Sequence, residues 1–107
     1  MTGERKQQIH HARLRNRYSN LNADLFYNHL NDTPYCECEA TTEDAEHFFF
    51  KCPLFAEQRR ALFIGTRSFH PLSAHKLLFG IEGRTDKDNS DLFLQVQHFI
   101  KSTKRLK

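Results

Sequence analysis

Residues Cys36–Cys52 read CECEATTEDAEHFFFKC. All three cysteines of the chain fall inside this stretch, and one histidine, His47, lies between the second and the third. The order is Cys36-x-Cys38, eight residues, His47, four residues, Cys52. Three thiolates and an imidazole form a complete tetrahedral donor set for Zn²⁺, which takes soft sulfur and borderline nitrogen ligands. The expectation is one structural zinc per chain, held by Cys36, Cys38, His47 and Cys52, with the flanking helices packed around it.

The local sequence suits that geometry. Cys36 and Cys38 are close enough for a short turn or hairpin to aim both sulfurs at one ion. The TTED segment predicts a helix start, with Thr41 or Thr42 as N-cap and Glu43, Asp44 and Glu46 near the positive end of the helix dipole. Cys52 falls about 140° from His47 around an ideal α-helix, so the two do not share a face of one. The helix must therefore end or distort near Cys52, and Pro53 supplies a reason. His29 is the one rival for the fourth ligand position; His47 is preferred because it sits inside the cysteine cluster. A disulfide framework fits poorly, because the cysteine number is odd and the N-terminal MTGERKQQIHH is too polar for a secretory signal.

Length and composition predict a single domain over residues 1–107. Ten phenylalanines supply core material, each buried aromatic removing roughly 150–250 Å² from water. The hydrophobic fraction is only 38%, and burial alone leaves a domain of this size marginal. A structural zinc would add on the order of 10 kcal/mol to folding. No apolar run approaches the roughly 20 residues of a membrane span. A reducing compartment, cytoplasm and/or nucleus, is expected. Residues 1–17 carry a net +4 and residues 101–107 another +4, so an acidic middle of −5 completes the total of +3. The basic N-terminal helix or partly ordered tail and the basic C-terminal tail are of a kind that contacts phosphate.

Along the chain, residues 4–17 read as a helix that is polar almost all round, with His10 and His11 expected at the surface. A second helix is predicted over 21–30, capped by Ser19 or Asn20, with an apolar face of Leu21, Leu25, Phe26 and Leu30. At least two of Phe48, Phe49 and Phe50 should be core. After Pro53 a helix over 54–66 offers Leu54, Phe55, Leu62 and Phe63, with Arg59 and Arg60 on its polar side, free to contact phosphate or to pair with nearby acids. Ser73 should cap a short helix over 74–79 that stops at Gly80. A loop then leads to a last helix over about 90–104, capped by Asp88 or Asn89, with the stripe Leu92, Phe93, Val96, Phe99 and Ile100. The fold class is mainly α: a small helical domain stapled by one zinc, with a short turn or hairpin at the C-x-C.

A closed three-thiolate site leaves zinc no position for water, which makes it structural. The chain has no H-E-x-x-H, no phosphate-binding glycine loop, no G-x-S-x-G and no deaminase H-x-E. No enzyme and no small-molecule substrate are expected.

The run from His11 through Arg60 resembles the zinc-binding tail at the C-terminus of non-LTR retrotransposon reverse transcriptases. That family shows a leucine-bearing helix, a C-x-C-G or C-x-x-C-G turn, an E-[TD]-x-x-H helix, then C-P and a helix with an arginine. Cys36, Cys38, His47, Cys52 and Pro53 match the order, with Arg59 or Arg60 downstream. One departure is Glu39, where the family pattern has glycine; glycine there would relax the turn beneath the metal. The resemblance implies a non-catalytic domain of retroelement origin that helps grip RNA or DNA. The cations then expected at nucleic acid are Arg13, Arg15, Arg17, Arg59, Arg60, Lys104 and Arg105. The alternatives are a zinc-stapled helical module that binds protein and an inactive retroelement relic.

Overall fold

The computed structural model describes residues 4–106. Residues 1–3 and 107, the outermost parts of the two basic ends, lie outside the described residues. Five α-helices follow one another: α1 (Arg5–Arg15), α2 (Asn22–Tyr27), α3 (Ala56–Gly65), α4 (Ala74–Phe79) and α5 (Asp86–Thr103). Between α2 and α3 the chain makes a small antiparallel hairpin, pinned by a bridge between Tyr35 and Thr42. A short π-helix, His47–Lys51, and a 3₁₀ turn, Pro53–Phe55, complete that region.

Helix α5 is the spine, with α1, α3 and α4 packed against it. Its stripe of Leu92, Val96, Phe99 and Ile100 is buried. The Phe99 ring meets Phe48 at 5.1 Å and Phe49 at 5.6 Å between centroids. Phe48 and Phe49 are fully enclosed, while Phe50 is half-buried beside Phe63. Cys36 and Cys52 belong to the same buried cluster as these rings, so the cysteine stretch is continuous with the core. Helix α4 begins at Ser73, whose Oγ accepts from Lys76 N–H, and ends at Gly80 with φ +90°.

Four expectations need correction. His10 and His11 are buried, not at the surface. Helix α1 buries Gln7, His10, His11 and Leu14, which is the i, i+3, i+4, i+7 spacing of a core-facing stripe written mostly in polar residues. Helix α2 is shorter than 21–30. His29 takes a left-handed conformation (φ 61°), which ends it, and Phe26 and Leu30 are exposed rather than on an apolar face. Its N-cap is Leu21 rather than Ser19 or Asn20; Ser19 Oγ accepts from Leu21 N–H instead. Helix α3 starts later than predicted, and Leu54 lies before it, outside the core at 54% exposed, because the chain passes from Cys52 through a 3₁₀ turn before the α-helix starts. Helix α5 starts earlier than predicted, capped by Thr85 Oγ1 accepting from Asp88 N–H. Asn89 is engaged elsewhere, its Oδ1 accepting from Ile81 N–H at 2.9 Å.

Candidate metal centre

The hairpin delivers the first two sulfurs. Cys36 N–H donates to Thr41 O at 2.9 Å and Glu43 N–H to Pro34 O at 2.8 Å. Within that frame Glu39 N–H returns to Cys36 O at 2.9 Å, closing a turn with Glu37 and Cys38 at its tip. Glu39 follows with φ 64°. A tight turn followed by one left-handed residue is a recurrent hairpin solution, and the left-handed position favours glycine.

The second pair comes from the π-helix. Thr42 is taken up by the hairpin bridge, so neither Thr41 nor Thr42 caps the helix. Asp44 does: its Oδ1 accepts from His47 N–H at 2.8 Å. Cys52 N–H then donates to His47 O at 2.8 Å, an i→i+5 bond. That extra residue per turn is the distortion which the five-residue spacing of His47 and Cys52 demands.

The donor atoms of Cys36, Cys38, His47 and Cys52 all lie within 4.8 Å of one another. Two thiolates bound to a tetrahedral zinc at about 2.3 Å stand about 3.8 Å apart. Cys36 Sγ and Cys52 Sγ are 3.7 Å apart, and Cys38 Sγ is 3.3 Å from His47 Nε2. All three cysteines are free. Their separation is far beyond the roughly 2.05 Å of a disulfide. The cluster is able to chelate one metal ion. His29, the rival ligand, is exposed and lies outside the cluster.

The surroundings favour thiolates bound to a cation. Each sulfur faces the backbone N–H two residues further along: Cys38 for Cys36, Ala40 for Cys38 and Leu54 for Cys52. Burial nevertheless pushes the Cys36 thiol up to about 12 and raises that of Cys52, whereas the Ala40 N–H lowers Cys38 at the more open side. Such buried thiols lose their protons to a strongly bound cation, and Zn²⁺ is one. His47 is buried, and its Nδ1 has no hydrogen-bond partner among the described residues. One ring nitrogen is thus aimed at the sulfurs and the other is shut away from water.

A dication held by three thiolates would leave one net negative charge, and two arginines stand next to the cluster. Arg59 donates to Phe49 O at 2.9 Å, Phe48 O at 3.3 Å and Cys52 O at 2.8 Å. Arg105 donates from Nε to Glu43 Oε2 at 2.9 Å and from Nη2 to Glu43 Oε1. Glu43 also accepts from Asn22 N–H at 2.8 Å and faces Cys36 Sγ at 3.8 Å. Sequence reasoning placed Glu43 in the first turn of a helix, near its positive end, and missed this role. The only available signal was its position between the second cysteine and the histidine.

The seven cations expected at nucleic acid divide into two groups. Arg15, Arg59 and Arg105 face inward: Arg15 donates to Leu78 O and lies 5.3 Å from the Phe93 ring centre. Arg13, Arg17, Arg60 and Lys104 are exposed. Among the described residues no helix is long and apolar enough to cross a membrane. No protein-family model, curated protein or solved structure matches this chain.

Proposed function

We propose that the chain is a non-catalytic structural-zinc module in which Cys36, Cys38, His47 and Cys52 hold one Zn²⁺. The single observation carrying this reading is the 3.7 Å approach of the Cys36 and Cys52 sulfurs, the edge length of a zinc-thiolate tetrahedron, with His47 and Cys38 closing on the same point. When bound, the ion joins the hairpin to the π-helix and supplies folding free energy; a full set of protein ligands leaves it no open position for chemistry. The residues around it bury Cys36, His47 and Cys52, stabilise thiolate charge through backbone N–H groups, and balance the net charge with Arg59 and Arg105.

The larger role we infer is contact with RNA or DNA, in a domain of retroelement origin. The C-x-C, histidine and C-P order supports the origin. The solvent access of Arg13, Arg17, Arg60 and Lys104 supports the contact. Protein purified without chelator should carry about one zinc per chain, the stoichiometry of a single closed site. Cys52→Ala should lose both the metal and helical circular dichroism; a variant keeping both would overturn the ligand set. Binding of nucleic acid should weaken steeply with salt as phosphate counterions are released. Undetectable binding at low salt would remove that role and leave the zinc fold standing.

A further inference from the structure

Among the described residues, several large apolar side chains are exposed within residues 18–35, besides Ile9, Leu54, Ile64 and Phe79 elsewhere. Tyr18, Phe26, Tyr27, Leu30 and Tyr35 are each 46–64% exposed. All three tyrosines of the chain are among them, and the chain has no tryptophan. Phe26 and Tyr27 line a groove of about 590 Å³ that runs between α2 and the metal-binding hairpin, with Pro34 on its far side. Two residues that can carry positive charge, Arg17 and His29, line it as well, and no carboxylate does.

The charge of Arg17 is turned toward this groove. Its guanidinium lies 3.9 Å from the centre of the Tyr27 ring, a close cation–π contact. The acid nearest to it, Asp24, is 3.9 Å away and 7% exposed. Ser19 N–H and Oγ donate to the other carboxylate oxygen, Oδ2, at 3.2 and 2.6 Å, while Oδ1 faces Arg17. Asn28 Nδ2 holds Arg17 O at 2.9 Å, which ties the end of α1 to the end of α2 and sets the rim.

We propose that this groove binds single-stranded nucleic acid, with bases stacked on Tyr27 and Phe26 and a phosphate at Arg17. This deepens the nucleic-acid reading above and rests on it. The argument is chemical complementarity. The lining offers flat aromatic faces and a guanidinium whose one acidic neighbour, Asp24, is buried behind it and outside the lining, so it suits a ligand that is anionic and carries flat π faces. A single strand has both, whereas a duplex keeps its base faces stacked inside. Base–aromatic stacking is tolerant of sequence and each stack contributes substantially to affinity.

The test uses the full zinc-loaded chain, titrated at low salt with oligo(dT), with oligo(U) and with a duplex of the same length. Tyrosine emission reports on this face directly, and anisotropy of a labelled strand gives affinity. Single strands should quench the emission and bind more tightly than the duplex. Tyr27→Ala should weaken binding roughly ten-fold or more, the scale of a lost base stack, while Tyr27→Phe keeps it. Arg17→Ala should weaken binding and lower the salt slope by about one. Zinc content and circular dichroism of each variant must match the parent, and Phe26→Ala replaces Tyr27→Ala if the latter does not fold. Equal affinity for duplex and single strand, unaffected by Tyr27→Ala but reduced by Arg13→Ala or Arg60→Ala, would overturn the groove and leave the broader reading intact. No binding of any strand would overturn both. An apolar peptide that saturates the groove while oligonucleotides do not bind would overturn it as well.

Discussion

Glu39 has φ 64° at the end of the turn that carries Cys36 and Cys38. A left-handed conformation costs an L-residue roughly 1–2 kcal/mol, and glycine escapes most of that cost. Glu39→Gly should therefore raise the stability of the zinc-loaded protein by about 1 kcal/mol, read as a higher urea midpoint with unchanged slope. An unchanged midpoint would mean the turn holds no such strain. His11 offers a second single-residue test. Its Nε2 is 3.0 Å from Leu77 O, so it must donate there, and Nδ1 accepts from Gln97 Nε2 at 3.3 Å. Burial, followed by the charge of Arg15, depresses the imidazole from 6.5 to about 4. The unfolded chain thus takes up a proton at a pH where the folded chain does not. The stability contributed by keeping His11 neutral is complete well above pH 6.5 and declines as pH falls toward 4, by up to a few kcal/mol. Urea unfolding across that window should show a shallower pH slope in His11→Leu than in the parent, even though the variant is less stable at neutral pH. Parallel slopes would show that His11 contributes nothing to the acid sensitivity.

At the scale of elements, the π-helix decides whether the site closes. His47 and Cys52 are five residues apart, and only the widened turn, with its Cys52 N–H to His47 O bond, brings both to one ion. The end of such a turn leaves carbonyls without intrahelical partners, and Arg59 donates to those of Phe48 and Phe49 and to Cys52 O, which Phe55 N–H also reaches. Arg59→Ala should cost about 2–4 kcal/mol, because hydrogen bonds from a charged donor contribute about 1.5–3 kcal/mol each but share one side chain. It should also weaken zinc retention against a competing chelator. Arg59→Lys should recover little, since one ammonium lacks the planar fork that spans three carbonyls. Full stability in Arg59→Ala would show that water caps these groups equally well. The position of this arginine after C-P was legible in the sequence, but its role was not. An arginine in the first turns of a helix reads as solvated until the neighbouring carbonyls are placed. Helix α1 was misread for a related reason: a stripe of Gln7, His10, His11 and Leu14 carries the period of a buried face without its hydrophobicity.

For the molecule as a whole, the last helix and the metal hairpin are joined at the chain's end. Leu106 is buried in the core, and Arg105 spans 62 positions to reach Glu43. Glu43, 4% exposed in its side chain, touches the start of α2, the first cysteine and the C-terminal segment together. Arg105→Ala would leave that carboxylate buried without its partner, at a cost of about 3–5 kcal/mol. The loss should appear as a lower thermal midpoint, partly restored by pairing the change with Glu43→Gln. A midpoint equal to the parent's would show that the pair is not holding the tail. Under the same logic Arg105 is poorly placed to serve as a free phosphate contact, whereas Arg17 and Lys104 remain open.

What the sequence determined by itself was the candidate donor cluster of Cys36, Cys38, His47 and Cys52 and its consequence for the backbone. Four donor residues in seventeen positions, followed by proline, required a turn, a distorted helix and a mainly helical surround, because metal geometry and helical period are both local rules. The buried stripe of α5 and the Ser73–Gly80 limits of α4 were legible for the same reason. Tertiary structure alone decided which polar groups went inside. The fates of Glu43, His11, Arg59 and Arg105 depend on partners between 7 and 86 positions away. Whether a polar side chain is buried or solvated turns on whether such a partner arrives, and spacing along the chain carries no record of that. The aromatic groove beside α2 was hidden likewise: Phe26 and Leu30 read as core until the shortened helix left them facing water.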